Sequence, residues 1–146
     1  MEGSTSLRTA RAAQLESMSG SEFDAVLATI RASASFPRVA YHFSRHGQEF
    51  GVTTEAGYLA ALGVHLLRSD LRVFTFLRPE GRAPFWALVA PDTGDTALYN
   101  EARGRIYSFY RPERPAVRMA AVESHWVELI RRQDGWLTLQ EWQWES

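Results

Sequence analysis

The chain of 146 residues is 45% apolar and 12% aromatic, enough to bury a core in one domain and far from the composition of a disordered chain. Its net charge of −1 argues against a protein that coats DNA through bulk positive charge, and without cysteine it can form neither disulfides nor thiolate zinc sites. No apolar run approaches the ~20 residues needed to span a membrane.

Residues 1–20 are small and polar and are expected to form a flexible leader, followed by a single domain over 21–146. In "SEFDAVLATIRAS", Phe23, Val26, Leu27 and Ile30 recur at helical spacing, with Ser21 as N-cap and Asp24 three residues on. A second, short helix starts near Pro37, carries Tyr41, His42 and Arg45, and ends at Gly47. A third starts near Thr53–Thr54 and runs through "YLAALGVHLL", weakened by Gly57 and Gly63.

After Asp70 the period changes from helical to alternating. "LRVFTFLR", "PFWALVA", "TALYN" and "RIYSFYR" read as four strands joined by turns, with Asp92 and Asp95 as turn formers. A last helix is expected at about 115–132, with Val117, Met119, Val122, Trp126, Leu129 and Ile130 on its apolar side. "WLTLQEWQW" then alternates as a strand, with Trp136, Trp142 and Trp144 on one face. Together these elements predict an α+β domain: N-terminal helices packed on a four- to five-stranded antiparallel sheet, with an added C-terminal helix and strand.

All sixteen basic residues are arginine, and they cluster. Residues 103–118 hold five against Glu113 alone, whereas 119–146 hold five acids against Arg131 and Arg132. The guanidinium is a planar fork suited to phosphate, so the clusters are candidate phosphate ligands. Charges of opposite sign so close in the chain offer two readings of the acidic tail: Glu141 or Glu145 reaches the arginines by adding "WLTLQEWQW" to the edge left by "RIYSFYR", or Trp126, Trp136, Trp142 and Trp144 complete the core and the acids face solvent.

His42 and His46 lie four apart in "YHFSRHGQEFG", on one helical face. Two imidazoles can serve as base and acid near neutral pH. Cleavage of RNA without a metal needs those roles, with cationic and hydroxyl donors to stabilise the phosphorane. The same spacing fits a helix end whose histidine caps carbonyls, and more weakly a metal site. His65 and His125 read as structural histidines.

"HFSRHGQEFGVTTEAGYLAA" resembles the HFxKHGxEFGxxTxxEYLxxA opening of small RNase toxin domains, and "TGDTALYNEARGRIYSFYRPE" resembles their closing TGEFAVVxxDGxIxTFFKPD hairpin. These are C-terminal modules of bacterial contact-dependent inhibition and polymorphic toxin systems, similar in fold to the barnase, colicin and RelE-type RNases. The resemblance covers residues 41–113, within a toxin-like core of 36–113 and a C-terminal extension of 114–146. It implies a metal-independent endoribonuclease without cofactor, acting on RNA, tRNA in particular, through a 2′,3′-cyclic phosphate. His42 and His46 would be its acid–base pair, with Arg45, Ser108 and Tyr110 also catalytic, and Arg103, Arg105, Phe109 and Arg111 would bind substrate. It further implies an acidic cognate immunity protein and a cytoplasmic site of action after delivery into a neighbouring cell. Where the family has Arg-aromatic-Asp, this chain has Leu88, Val89 and Ala90. Arg105, Arg103 or Arg82 then replaces the lost phosphate ligand, or the fold serves as an inactive relative that binds RNA or a protein.

Overall fold

The computed structural model describes residues 4–33, 35–112 and 125–141. Four α-helices precede a six-stranded sheet: α1 (Ser4–Gln14), α2 (Gly20–Arg31), α3 (Val39–His46) and α4 (Glu55–Leu66), then β1 (Arg72–Leu77), β2 (Pro84–Val89), β3 (Thr96–Asn100), β4 (Arg105–Tyr110), β5 (Val127–Arg131) and β6 (Leu137–Glu141). The sheet is antiparallel throughout in the order β4-β3-β2-β1-β5-β6. The fold is α+β as expected, with one strand more than the upper count.

The supposed leader is not a loose segment. Leu7, Arg11 and Leu15 recur every fourth residue and are all buried, which is the stripe a helix needs to dock. Arg11 is only 4% exposed. Its guanidinium donates to Thr75 Oγ1 on β1 at 2.9 Å and to Glu101 Oε1 at 3.0 Å, and that carboxylate also accepts the Trp86 indole N–H at 2.8 Å. A buried arginine is tolerable because each contact is a charge-assisted hydrogen bond. The small, polar look of the segment concealed three inward positions.

Ser19, not Ser21, caps α2. Its hydroxyl accepts the Glu22 amide at 3.1 Å, and Glu22 reaches back to the Ser19 amide at 3.1 Å, a complete capping box. Thr54 caps α4 by accepting the Gly57 amide at 3.0 Å.

The two faces of the sheet bury different sets. One face packs Val73, Trp86, Leu88, Ala97, Tyr99, Ile106 and Phe109 against Phe23, Leu27 and Ile30 of α2 and Tyr58, Leu62 and Leu66 of α4. The other holds Phe74, Phe76, Phe85, Ala87, Val89 and Trp126. Strands buried on both faces lose clean alternation, and β1 and β2 are buried at every position but the first.

The expected helix at 115–132 is corrected over its last part. Residues 113–124, with Val117, Met119 and Val122, lie outside the described residues, but Val127–Arg131 is strand β5, paired with β1 and β6. Trp126 and Leu129 are buried as expected, whereas Ile130 is 39% exposed. "WLTLQEWQW" does contain a strand, but β6 pairs with β5 at the far edge from β4, so it does not extend the "RIYSFYR" edge. Trp136 is 60% exposed, and Trp142, Trp144 and Glu145 lie outside the described residues. No helix among the described residues is long and apolar enough to cross a membrane.

Candidate active site

Helix α3 lies at the β4 edge and turns directly into a single 3-10 turn, Gly47–Phe50. A Cβ on Gly47 would stand 2.8 Å from the Phe43 ring, so any side chain there would have to displace that ring. Gly51, at φ 67°, closes the turn in the left-handed region. The result folds Glu49 back beneath the end of α3. His46 Nδ1 lies 2.9 Å from Glu49 Oε2, while Glu49 Oε1 accepts the Arg111 amide at 2.7 Å. A carboxylate on Nδ1 fixes the ring and leaves Nε2 as the atom a substrate could meet.

His42 stacks on His46 with ring centroids 6.0 Å apart and planes 10° from parallel. Its Nδ1 is 3.2 Å from Ser108 Oγ on β4, and its Nε2, buried, finds no hydrogen-bond partner among the described residues. Burial, followed by repulsion from His46, Arg38 and Arg45, lowers its pKa to about 4. His42 is therefore a neutral imidazole at pH 7.

Strand β4 carries an irregularity that decides which of its side chains face the histidines. Leu98 pairs with Ser108 but Tyr99 pairs with Ile106, so Tyr107 is an extra residue, a β-bulge. Strict alternation from Ile106 would send Ser108 and Tyr110 into the helix-side core. The bulge reverses the parity: Ile106 and Phe109 both enter that core, Ser108 meets His42, and Tyr110 lies 5.9 Å from the His46 ring, centroid to centroid. Tyr107 itself projects, 36% exposed, with its ring 6.0 Å from that of His42.

Beside Tyr107 runs a groove of about 320 Å³ lined by Arg38, Asn100, Arg103 and Arg105. Arg38 lies over the Tyr41 ring at 4.4 Å, and Arg45 donates to the Tyr41 hydroxyl at 3.2 Å. Among the described residues none of these four arginines is paired with a carboxylate.

Of the expected site residues, the structure brings His42, His46, Ser108 and Tyr110 together, with Arg45 on the same helix and Arg103 and Arg105 in the adjoining groove. Two expectations are corrected. Phe109 is 1% exposed and stacks on Phe50 at 4.1 Å, with its carbonyl taking the Tyr58 hydroxyl; it is core and cannot touch a substrate. Arg111 is held by both oxygens of Asp95 at 2.6 and 3.0 Å. That pairing pushes its pKa up and ties the end of β4 to the turn before β3. Its amide, not its guanidinium, serves the site by steadying Glu49. Asp95 is thus more than a turn former, and Asp92 pairs with Arg68 at 3.0 Å.

Leu88, Val89 and Ala90 are wholly buried, packed into the core and not presented to a substrate. Arg82 sits in the β1–β2 turn and is not among the residues lining the groove. His65, as expected, is a buried structural residue, its Nε2 2.8 Å from the Leu88 carbonyl oxygen.

Three residues escaped the sequence reading: Glu49, Arg38 and Tyr107. Glu49 was visible as the "HGQE" spacing, three residues after His46. Arg38 precedes α3 by one residue. Tyr107 had no signal, since a bulge depends on the partner strand. Comparison with family models, curated proteins and solved structures gives no match.

Proposed function

We propose that the protein is a metal-independent endoribonuclease, with tRNA as the expected substrate class from the toxin-domain resemblance. The observation that carries the reading is the stacked pair His42–His46, oriented by Glu49 and joined through the Tyr107 ring to a groove whose arginines pair with no carboxylate among the described residues. His46, held through Nδ1 by Glu49, takes the proton of a ribose 2′-hydroxyl through Nε2. The oxygen then attacks phosphorus, the bond to the 5′-oxygen breaks, and a 2′,3′-cyclic phosphate remains. Protonation of the departing 5′-oxygen falls to Tyr110, whose ring packs on that of His46, while His42, neutral at pH 7 with its Nε2 buried, holds Ser108. Arg38, Arg45, Arg103 and Arg105 neutralise the phosphates on either side, and Ser108, held on His42, is placed to donate to the phosphorane.

RNA cleavage in EDTA with cyclic phosphate ends tests the chemistry, and toxicity on expression without a partner tests the biological role. A requirement for an added metal ion would overturn the mechanism. An acidic immunity protein covering the arginine groove and a cytoplasmic site of action follow from the same reading. The second reading, an inactive relative that binds RNA, is favoured by one observation: His42 Nε2 is sealed from solvent. RNA binding without cleavage would select it.

A further inference from the structure

On the sheet face opposite the helices, a second pocket lies across Tyr107 from the arginine groove. It has a volume of about 280 Å³ and walls from Phe76, Phe85, Tyr107, Tyr110, His125 and Trp126. Tyr107 walls this pocket and the arginine groove alike. Tyr110 walls it too, and these are the two rings that pack on His42 and His46 respectively. The pocket therefore shares the Tyr107 wall with the groove and, through Tyr110, the ring packed on His46.

Its chemistry is that of a flat heteroaromatic ligand. Trp126 lies on Phe76 at 4.8 Å with planes 7° apart, and the Arg78 guanidinium sits 5.2 Å over Tyr107 and 5.4 Å over Phe85. Aromatic and guanidinium planes are the surfaces on which nucleobases stack. His125, 8% exposed, has a buried Nε2 without a hydrogen-bond partner among the described residues. A buried polar atom left unsatisfied is costly, and a rotation of the His125 ring toward the pocket would let the polar edge of a base satisfy it. At the mouth, Arg78 and Glu80 make only a long ion pair of 3.7 Å, with Glu80 largely exposed, so a donor and an acceptor are both at hand. A volume just below the ~300 Å³ lower bound for drug-sized ligands fits one ring system.

We propose that this pocket is a nucleobase subsite that selects the base beside the cleaved bond; the proposal rests on the ribonuclease reading above. It uses His125 and Trp126, which lie beyond the span of the toxin-domain resemblance, so base choice would come from the extension peculiar to this chain.

The test uses the full chain, titrated calorimetrically with the four ribonucleoside 5′-monophosphates and with ribose 5-phosphate as the base-free probe, alongside cleavage of the sixteen dinucleotides. At least one mononucleotide should bind roughly tenfold more tightly than ribose 5-phosphate, the gain expected of a stacked base. Glu80→Ala, at an exposed position, and His125→Phe, which keeps a ring against Phe76, should each reduce that gain and flatten the dinucleotide preference. Equal affinity for nucleotide and base-free probe overturns the subsite, as does a preference unmoved by both variants. Cleavage without base discrimination removes the subsite and leaves the ribonuclease standing. Variant-sensitive nucleotide binding without any cleavage does the reverse.

Discussion

The two sides of the sheet use the same residue in opposite ways. Towards the β6 side, arginines are consumed by the fold: Arg131 pairs with Asp24 and donates to the Gly20 carbonyl at 2.6 Å, Arg132 pairs with Asp134, and Arg72 is held by both oxygens of Glu128 at 2.8 and 2.9 Å. At the β4 side, Arg38 lies over the Tyr41 ring, Arg45 donates to the Tyr41 hydroxyl, Arg103 and Arg105 line the groove, and none of the four pairs with a carboxylate among the described residues. A guanidinium already bonded by a carboxylate fork has little left to offer a phosphate. What an arginine cluster can bind is set by what folding leaves unpaired, and Arg111, inside the densest cluster yet committed to Asp95, makes the point within a few residues of Arg105.

The sharpest way to break this contrast is at the histidine it surrounds. His46→Ala should lower RNA cleavage by about 10²–10⁴-fold, the usual range for a general acid or base. Glu49→Gln should reproduce most of that loss with little change in melting temperature, because it removes the group that orients the ring. His65→Ala, on the core side, should lower stability and leave the turnover of folded protein nearly intact. An unchanged rate in His46→Ala would remove the β4 edge as the active site.

Next in size is an acid-dependent loss of stability. His42 has a pKa near 4 in the fold, against 6.5 for the free side chain, so between those values the unfolded chain binds the extra proton. Its contribution is complete above pH 6.5 and falls as pH drops, by on the order of 3 kcal/mol in all and about 2 kcal/mol by pH 5. His65 and His125, whose pKa values burial also lowers, steepen the same loss. Urea melts at pH 7.5 and pH 5 measure it, and His42→Asn should shrink the difference. A parent protein equally stable at both values would mean that these rings are open to water.

Salt dependence sharpens the arginine comparison directly. Replacing Arg38, Arg103 or Arg105 by alanine should each reduce the slope of log affinity for RNA against log salt by roughly one unit. Arg132→Ala, whose partner is Asp134, should leave that slope alone. Equal effects at both sides would mean that ion pairing in the fold does not govern binding.

The smallest expected effect concerns the tail. Glu141 lies on β6, paired in register with Val127 and separated from β4 by β5, β1, β2 and β3. Glu141→Gln should therefore change neither RNA affinity nor rate at low salt. A clear increase in either would revive the idea that the acidic extension shields the arginines.

What the sequence determined by itself was local in origin. Apolar spacing placed α2, α3 and α4, turn residues separated β1 to β4, and the four-residue interval put His42 and His46 on one face, because period and capping act within a few residues. The tertiary structure decided what depended on partners distant in the chain. Residues 4–14 became a docked helix because Arg11 found Thr75 and Glu101. Val127–Arg131 became a strand because the β1 edge offered it hydrogen bonds, overriding an apolar pattern compatible with a helix. The extra residue at Tyr107, settled by pairing with β3, turned Phe109 into the core and Ser108 and Tyr110 toward the histidines. Side-chain period in a strand is two, so one added residue exchanges the faces of everything beyond it. No local pattern in "RIYSFY" records that exchange.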